Sequence, residues 1–152
     1  MEKTRHDSAV NGQFRLRGAV SEDAIFVARL ENDCMSFYAK AYWPDWIDSV
    51  TQYGFAIERH RIIVADDMDV GCVDLWANED HNYLSKLYLI PELRGRGIGS
   101  ELLLFLQRES AARGVPLRIS VLKNNSRAKE FYLRNGAKIV ETKIEALVME
   151  MA

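Results

Sequence analysis

Apolar and polar positions repeat along the chain with two periods, and each period predicts one type of element. Alternation, or a short apolar run bounded by turn residues, predicts strands over 14–20, 62–65, 70–76, 83–90, 117–121, 138–142 and 144–151. Helical spacing predicts helices that begin at Ser21, near Trp46 behind Pro44-Asp45, at Gly97 and at Asn125 or Ser126. The first helix is expected to bury one face that carries Ala24, Ile25, Val27 and Ala28.

The connections between these elements predict a mixed sheet. The acidic turn 66–69 joins two strands as a β-hairpin, and the polar turn 78–82 leads into the next strand, so three neighbouring strands are antiparallel. The helix over 97–113 lies between the strands 83–90 and 117–121, and a right-handed strand-helix-strand unit makes its two strands parallel. The sequence therefore predicts an α/β domain with a mixed, mainly antiparallel sheet flanked by helices.

Composition limits the classes of protein to which the chain can belong. Its 152 residues are 48% hydrophobic and 28% charged, which suits one domain over 13–152 behind a flexible tail over 1–12. The net charge of −2 disfavours nucleic acid as a partner, because phosphate binders carry a strongly basic face. Cys34 and Cys72 are too few for a secreted disulfide scaffold, which favours the cytoplasm. The absence of a long apolar run predicts no membrane partner.

The strongest chemical signal is the segment Arg94-Gly95-Arg96-Gly97-Ile98-Gly99-Ser100, between a predicted strand and a long helix. Glycines let backbone N–H groups approach a ligand, and the first N–H groups of a helix are free to bind an anion. The segment therefore predicts a phosphate or pyrophosphate site. The structural alternative is a tight solvated turn in which the glycines only relieve strain.

Two nucleotide-binding motifs do not fit this segment. A dinucleotide fingerprint that starts at Gly95 needs its last glycine at Ser100, and one that starts at Gly97 needs it at Leu102. A Walker loop needs Gly-Lys-Ser/Thr, which the sequence lacks. An enzyme that uses the loop for ATP or NAD is therefore the least favoured alternative.

The pattern R-x-x-G-x-G, followed by a parallel strand and then by N-S-R-A-K-E-F-Y-L-R-N-G, resembles the GNAT superfamily of N-acetyltransferases. The resemblance runs over 84–136 and continues weakly into 146–150. It implies a sheet whose central parallel strands splay apart for acetyl-CoA. It also implies acetyl transfer to a primary amine, from a small molecule or a protein, by direct attack in a ternary complex. Pairing as a homodimer is a further expectation from the resemblance.

The resemblance assigns cofactor contacts residue by residue. The pyrophosphate is expected on the backbone of Arg94, Gly95, Arg96, Gly97, Ile98, Gly99 and Ser100, and the pantetheine arm on Leu87, Tyr88, Leu89 and Asn125. An amide near Leu89 is expected to stabilise charge on the thioester oxygen. Tyr132 is the candidate general acid for the departing thiolate. The structural alternatives are a plain helix cap for Asn125 and a core aromatic for Tyr132.

The general base and the acceptor pocket are less defined by the sequence. Many relatives carry a Glu at the position aligned with Tyr83, so the base candidates are the nearby Glu79, Asp80 and His81, with Asp74 on the neighbouring strand. Trp43, Trp46 and Asp45, with Tyr42 and Asp48 beside them, are the acceptor-pocket candidates, although these aromatics also suit a core. The missing Glu keeps open a sensor that binds an acyl-CoA without turnover. The scattered histidines and two cysteines predict no metal site.

Overall fold

The computed structural model describes residues 7–152. Its strands are Ser8–Ala9 (β1), Phe14–Gly18 (β2), His60–Ala65 (β3), Met68–Ala77 (β4), Asn82–Leu89 (β5), Leu117–Leu122 (β6), Lys138–Thr142 (β7) and Ala146–Met151 (β8). Its α-helices are Ala24–Tyr42 (α1), Ser49–Tyr53 (α2), Ile98–Ala112 (α3) and Ser126–Arg134 (α4). Short 3-10 turns cover Ser21–Asp23, Ile57–Arg59 and Pro91–Leu93.

The described strands form one sheet in the order β1-β2-β3-β4-β5-β6-β8-β7. Within residues 7–152, β5 and β6 are the parallel pair, and the other neighbours are antiparallel. The expected α/β fold with a mixed, mainly antiparallel sheet and a central parallel pair is confirmed. Of the expected tail, residues 1–6 lie outside the described part of the chain, while Ser8–Ala9 pair with β2.

The predicted hairpin is present between β3 and β4. Its two turn residues, Asp66 and Asp67, have φ angles of 50° and 59°. Two consecutive left-handed residues give the hairpin turn whose twist matches that of the flanking strands, and aspartate tolerates this conformation better than most residues.

Two predicted helix starts were wrong. Ser21 begins a 3-10 turn, and α1 starts after Asp23, whose carboxylate accepts the Val20 N–H at 2.8 Å. The helix buries Val27, as predicted, but Ile25 is exposed to solvent, contrary to the prediction. The helix expected near Trp46 starts at Ser49, because the Asp48 carboxylate accepts the Thr51 N–H at 2.8 Å and so caps α2.

The sheet has an apolar core on each face. On one face α3 buries Leu102, Leu103 and Leu106 against residues of β2 to β8. On the other face α1 packs Val27 and Leu30 against alternate residues of β3 and β4. Adjacent residues such as Ile62 and Ile63 belong to opposite cores, as the two-residue period of a strand requires.

The two parallel strands separate after a short paired stretch. Their register joins Asn82 to Leu117 and ends where Leu84 meets Ile119, although β5 continues for five more residues. At this point the β4–β5 register passes from Leu75↔Leu84 to Asp74↔Lys86, so Ser85 is an extra residue. Such a bulge bends a strand. The sheet is therefore open between the carboxyl ends of β5 and β6.

Candidate active site

A cavity of about 480 Å³ fills the opening between the two parallel strands. One wall is the free edge of β5, and the other is β6 together with α4. The glycine loop closes one end, and α1 lies across the other face. The lining residues from the sequence prediction are Leu87, Tyr88, Leu89, Arg94, Gly95, Gly97, Gly99, Ser100, Asn125 and Tyr132. The structure thus brings the motif residues of two separate segments into one place.

The glycine loop turns the chain from β5 into α3. Gly95 and Gly97 have φ angles of 77° and 80°, a left-handed conformation that other L residues adopt only under strain. Gly97 immediately precedes α3, and the first hydrogen bond of that helix runs from the Glu101 N–H to the Gly97 carbonyl. The N–H groups at the start of the helix therefore have no helical acceptor and are placed for an anion at the cavity.

Arg94 folds back across this end of the cavity. Its Nε donates to the Leu89 carbonyl oxygen at 3.2 Å, and its Nη2 lies 3.3 Å from the Cys34 Sγ of α1. Burial raises the pKa of the Cys34 thiol, while the Arg94 guanidinium and a hydrogen bond from the Leu89 backbone oppose that rise. Cys34 is thus a neutral thiol, and the Leu89 amide points to the same part of the cavity.

Tyr132 lies in the cavity wall on α4. Its ring meets Phe131 edge to face, with the ring centroids 5.0 Å apart. Burial raises the pKa of the Tyr132 phenol well above its usual range, and the nearby Tyr83 adds to that rise. The phenol therefore keeps its proton at neutral pH, as a proton donor must.

Asn125 has a structural role and a place at the cavity. Its side-chain oxygen accepts the Ala128 N–H at 3.1 Å and caps α4. The same residue lines the cavity. The helix cap that the sequence suggested is therefore present, and it leaves the amide nitrogen of the side chain as a donor.

Comparisons with known proteins agree with this geometry. Residues 58–136, about half of the chain, match the family model described as an acetyltransferase (GNAT) domain. The chain belongs to the GNAT family of acetyltransferases. This confirms the resemblance drawn from the glycine loop and the Asn125 helix.

One curated relative is spermidine N(1)-acetyltransferase of Thermoplasma acidophilum, with 32% identity over 87 residues. The match covers 57% of this chain, and the chain spans about half (54%) of that relative. Among solved structures, PaiA N-acetyltransferase of T. acidophilum in complex with coenzyme A has a TM-score of 0.73 and 27% identity, and the match covers 90% of this chain and 97% of that one.

A more distant neighbour shows the same fold. Arabidopsis thaliana Naa50, in complex with a bisubstrate analogue, has a TM-score of 0.64 and 21% identity. The superposition covers 92% of this GNAT chain and 99% of that chain. The fold is therefore shared over nearly the whole domain.

Two residues of the GNAT loop have side chains outside the cavity. Arg96 is exposed, and Ile98 is 5% exposed because it packs into the core below α3. Neither lines the cavity. Any contact that Ile98 makes with a ligand must therefore come from its backbone.

The predicted base candidates are not brought to the cavity. Glu79, Asp80 and His81 lie in the turn before β5, at the closed end of the parallel pair. The His81 Nδ1 is 2.7 Å from the Asp80 carboxylate, and this hydrogen bond is the main reason that the pKa of Asp80 is lowered. Asp74 is 1% exposed, and its carboxylate accepts the Arg59 Nε at 3.0 Å.

The acceptor-pocket candidates lie between α1 and α2, beyond the cavity lining. Trp43 and Asp45 are exposed, and the Trp46 N–H closes a turn on the Trp43 carbonyl at 2.9 Å. The Asp48 carboxylate is buried and is used by Thr51 and Asn32. Asp48 therefore has a structural role.

Several residues that line the cavity were missed by the sequence analysis, two of them inside the 125–136 motif. They are Cys34, Met35, Ser85, Ser120, Arg127 and Arg134. Arg127 and Arg134 are seven residues apart, and residues seven apart on a helix share a face, so their spacing was a usable signal. For Cys34 no local signal exists, since its place depends on how α1 packs.

Two kinds of feature are absent from residues 7–152. No group of three or more histidine, cysteine, aspartate or glutamate side chains is arranged to hold a metal ion within this described range. No helix in the same part of the chain is both long and apolar enough to cross a membrane.

Proposed function

We propose that this GNAT chain is an acetyl-CoA-dependent N-acetyltransferase that moves the acetyl group to a primary amine by direct attack in a ternary complex. The observation that carries the proposal is the opening between β5 and β6, whose cavity runs from the glycine loop to Tyr132. A cosubstrate with an anionic end and a long polar arm fits such a site.

The glycine loop would hold the pyrophosphate. The N–H groups of Ile98, Gly99 and Ser100 begin α3 without helical acceptors, and the positive end of the helix dipole lies behind them. A Cβ built on Gly95 or Gly97 meets no atom within 4 Å, so these glycines serve the turn itself and leave the space above the loop open.

The free edge of β5 would hold the pantetheine arm. Beyond Leu84 the strand has no β6 partner, so its backbone groups on that side are available to amide groups of the arm. The Leu89 amide lies at the end of this edge beside Cys34. A backbone donor placed there would stabilise negative charge that develops on the thioester oxygen.

Tyr132 would protonate the departing thiolate. Its phenol is neutral near pH 7 because burial raises its pKa, and it lines the same cavity as the β5 edge. A thiolate released into a partly buried site needs a proton donor, because an uncompensated charge there is costly.

Water would remove the proton from the amine. The residues that line the cavity within the described chain include no carboxylate and no histidine. The amine therefore enters in its neutral form or loses its proton to solvent. The exposed Asp45 and the rings of Trp43 and Trp46, which lie beyond the cavity lining, would attract a cation. The name of the T. acidophilum relative, a spermidine N(1)-acetyltransferase, supports an alkylamine acceptor.

Thiol release from acetyl-CoA, measured against spermidine, other alkylamines and a peptide with a free amino terminus, tests the proposal. Direct attack predicts amine-dependent release and double-reciprocal plots that intersect when both substrates are varied. Parallel plots would require an acetyl-enzyme and would contradict the ternary complex.

The second candidate is an acyl-CoA sensor. The cavity lining without a carboxylate or a histidine favours it, since a binding module needs no base. Saturable acetyl-CoA binding without release for any amine in the panel would support the sensor and exclude the proposed transfer to these amines. Competition by ATP or NAD at the same site would instead support a nucleotide-dependent enzyme.

A further inference from the structure

A row of buried polar side chains crosses three strands behind the cavity. His60 of β3 pairs with Asp74 of β4, and Asp74 pairs with Lys86 of β5. Their exposed fractions are 1%, 1% and 4%. Buried lysines are rare unless they are paired, so this row needs an explanation.

Lys86 donates a hydrogen bond to His60. The Lys86 Nζ is 2.9 Å from the His60 Nε2, while the His60 Nδ1 is 2.7 Å from the Ala56 carbonyl oxygen. A carbonyl only accepts, so Nδ1 carries the proton, and Nε2 is left as the acceptor for the ammonium. His60 is therefore neutral and ties Lys86 to the chain just before β3.

Glu31 of α1 is the carboxylate that faces Lys86. Its Oε1 lies 3.8 Å from the Lys86 Nζ and also accepts the N–H and the hydroxyl of Ser49, at 2.9 and 2.8 Å. Asp74 is held by Arg59 instead, and no Lys86–Asp74 contact within 4.0 Å occurs. The charge on Lys86 is thus matched by Glu31 across the space between helix and sheet.

These contacts fix one segment at two points. The segment 43–56 connects α1 to the turn before β3, and we call it the acceptor-side segment. Glu31 holds it at Ser49, and His60 holds it at Ala56. Lys86 contacts both anchors, and its neighbours Ser85 and Leu87 line the cavity. On α1, Cys34 follows Glu31 by one helical turn and also lines the cavity.

We infer that Glu31, Lys86 and His60 are positioning residues that set the affinity for the amine by holding the acceptor-side segment beside the splayed part of β5. This inference rests on the proposed function, because it takes the second substrate to be an amine that enters past residues 43–56. None of the three side chains lines the cavity, and their hydrogen bonds are with one another, with Ser49 and with Ala56. The group therefore acts on the amine and leaves acetyl-CoA binding unchanged.

The physical reason is the cost of an unpaired buried charge. Removing the charge of Glu31 alone leaves the Lys86 ammonium without a carboxylate, and removing Lys86 alone leaves the Glu31 carboxylate without a cation. Either change favours movement of the segment toward water. Removing both charges relieves that cost, so the two substitutions are expected to be non-additive.

The test compares Glu31→Gln, Lys86→Met and the double variant. Glu31→Gln keeps an oxygen that can accept from Ser49, so it remains informative where Lys86→Met does not fold. The matched control is Glu150→Gln, which removes the charge of a half-exposed pair with Arg118 at 2.8 Å, between β6 and β8. The measurements are KM for the amine, the calorimetric Kd for acetyl-CoA, and amide hydrogen exchange over 43–56.

The inference predicts that Glu31→Gln raises KM for the amine and speeds exchange over 43–56 by about tenfold each, that the double variant recovers part of both losses, and that acetyl-CoA affinity is retained. An unchanged exchange rate, or an equal loss in Glu150→Gln, would overturn it. Loss of acetyl-CoA affinity would also overturn it. If the wild-type chain turns over no amine, the proposed function fails, and exchange over 43–56 still decides whether the three residues hold the segment.

Discussion

The ring of Phe131 packs closely against Gly99. A Cβ built on Gly99 would be 3.1 Å from the Phe131 Cζ and 3.3 Å from its Cε1, both closer than ordinary van der Waals contact. This contact joins the start of α3 to α4, one residue before Tyr132. The third glycine of the loop is therefore required by helix packing, while the first two are required by the turn.

Gly99→Val should lower the free energy of unfolding by about 1 to 3 kcal/mol, because the added methyl groups displace the Phe131 ring. Urea unfolding measures the loss. Adding Phe131→Leu to the Gly99→Val chain should reduce this loss of stability, because the smaller side chain leaves room for the valine. Equal stability of Gly99→Val and wild type would show that the two helices do not meet as described.

Gly97→Glu should abolish acetyl-CoA binding by placing a negative charge in the phosphate site. The like charge costs several kcal/mol, which lowers the affinity on the order of a hundredfold or more. Gly114→Glu is the matched control, since Gly114 has a φ of 76° beyond the other end of α3. Both variants place a glutamate at a positive φ, which costs a similar backbone strain of about 1 to 2 kcal/mol. Retained affinity in folded Gly97→Glu would refute the phosphate site.

Tyr132→Phe should keep acetyl-CoA affinity and slow the chemical step, because only the hydroxyl is lost. General acid catalysis contributes about a hundredfold or more, so kcat should fall by at least that factor. Tyr53→Phe is the control, since Tyr53 is 80% exposed. Calorimetry and steady-state kinetics separate binding from turnover. A wild-type kcat in Tyr132→Phe would remove the residue from the mechanism.

Local signals predicted the elements near the cavity, and long-range packing decided the rest. The pair Asp66-Asp67 specified its hairpin, and the glycine loop specified the start of α3, because each acts through its own backbone. Closeness in sequence wrongly suggested Glu79, Asp80 and His81 as base candidates at the cavity. They precede β5 in the chain but lie at the end where β5 and β6 are paired. Cys34 came to the cavity only through the packing of α1, which no single segment encodes.

The row from His60 to Lys86 was equally hidden from the sequence. It depends on the register of three strands, and the bulge at Ser85 decides that Lys86 faces α1. Without that register, a lysine inside a strand pattern is expected to face the solvent. Buried polar groups of this kind are where sequence patterns are least informative.

Acid should destabilise the protein through His60 before it titrates the carboxylates. Burial lowers the pKa of His60 below its ordinary 6.5, although the Ala56 hydrogen bond and the Asp74 charge oppose this, and Lys86 and Arg59 add to it. The unfolded chain therefore binds the proton more readily than the folded chain. The contribution of neutral His60 to the free energy of unfolding is fully present above pH 6.5 and is lost as the pH falls toward the lowered pKa.

Urea unfolding of wild type and His60→Gln between pH 8 and pH 5 measures this effect. Glutamine can replace both hydrogen bonds but does not titrate, so the variant should show a flatter dependence in that range. If the free energy of unfolding falls equally with pH in both proteins, a group other than His60 causes the acid sensitivity. Asp23 and Asp48, whose pKa values are lowered by their hydrogen-bond partners against the effect of burial, contribute only at lower pH.

Calorimetric titration of the wild-type chain with acetyl-CoA tests the central claim most directly. The splayed strands and the glycine loop predict saturable binding of one acetyl-CoA per chain, which Gly97→Glu loses and Gly114→Glu keeps. Folded wild-type protein that shows no saturable binding would contradict the assignment of the cavity between β5 and β6.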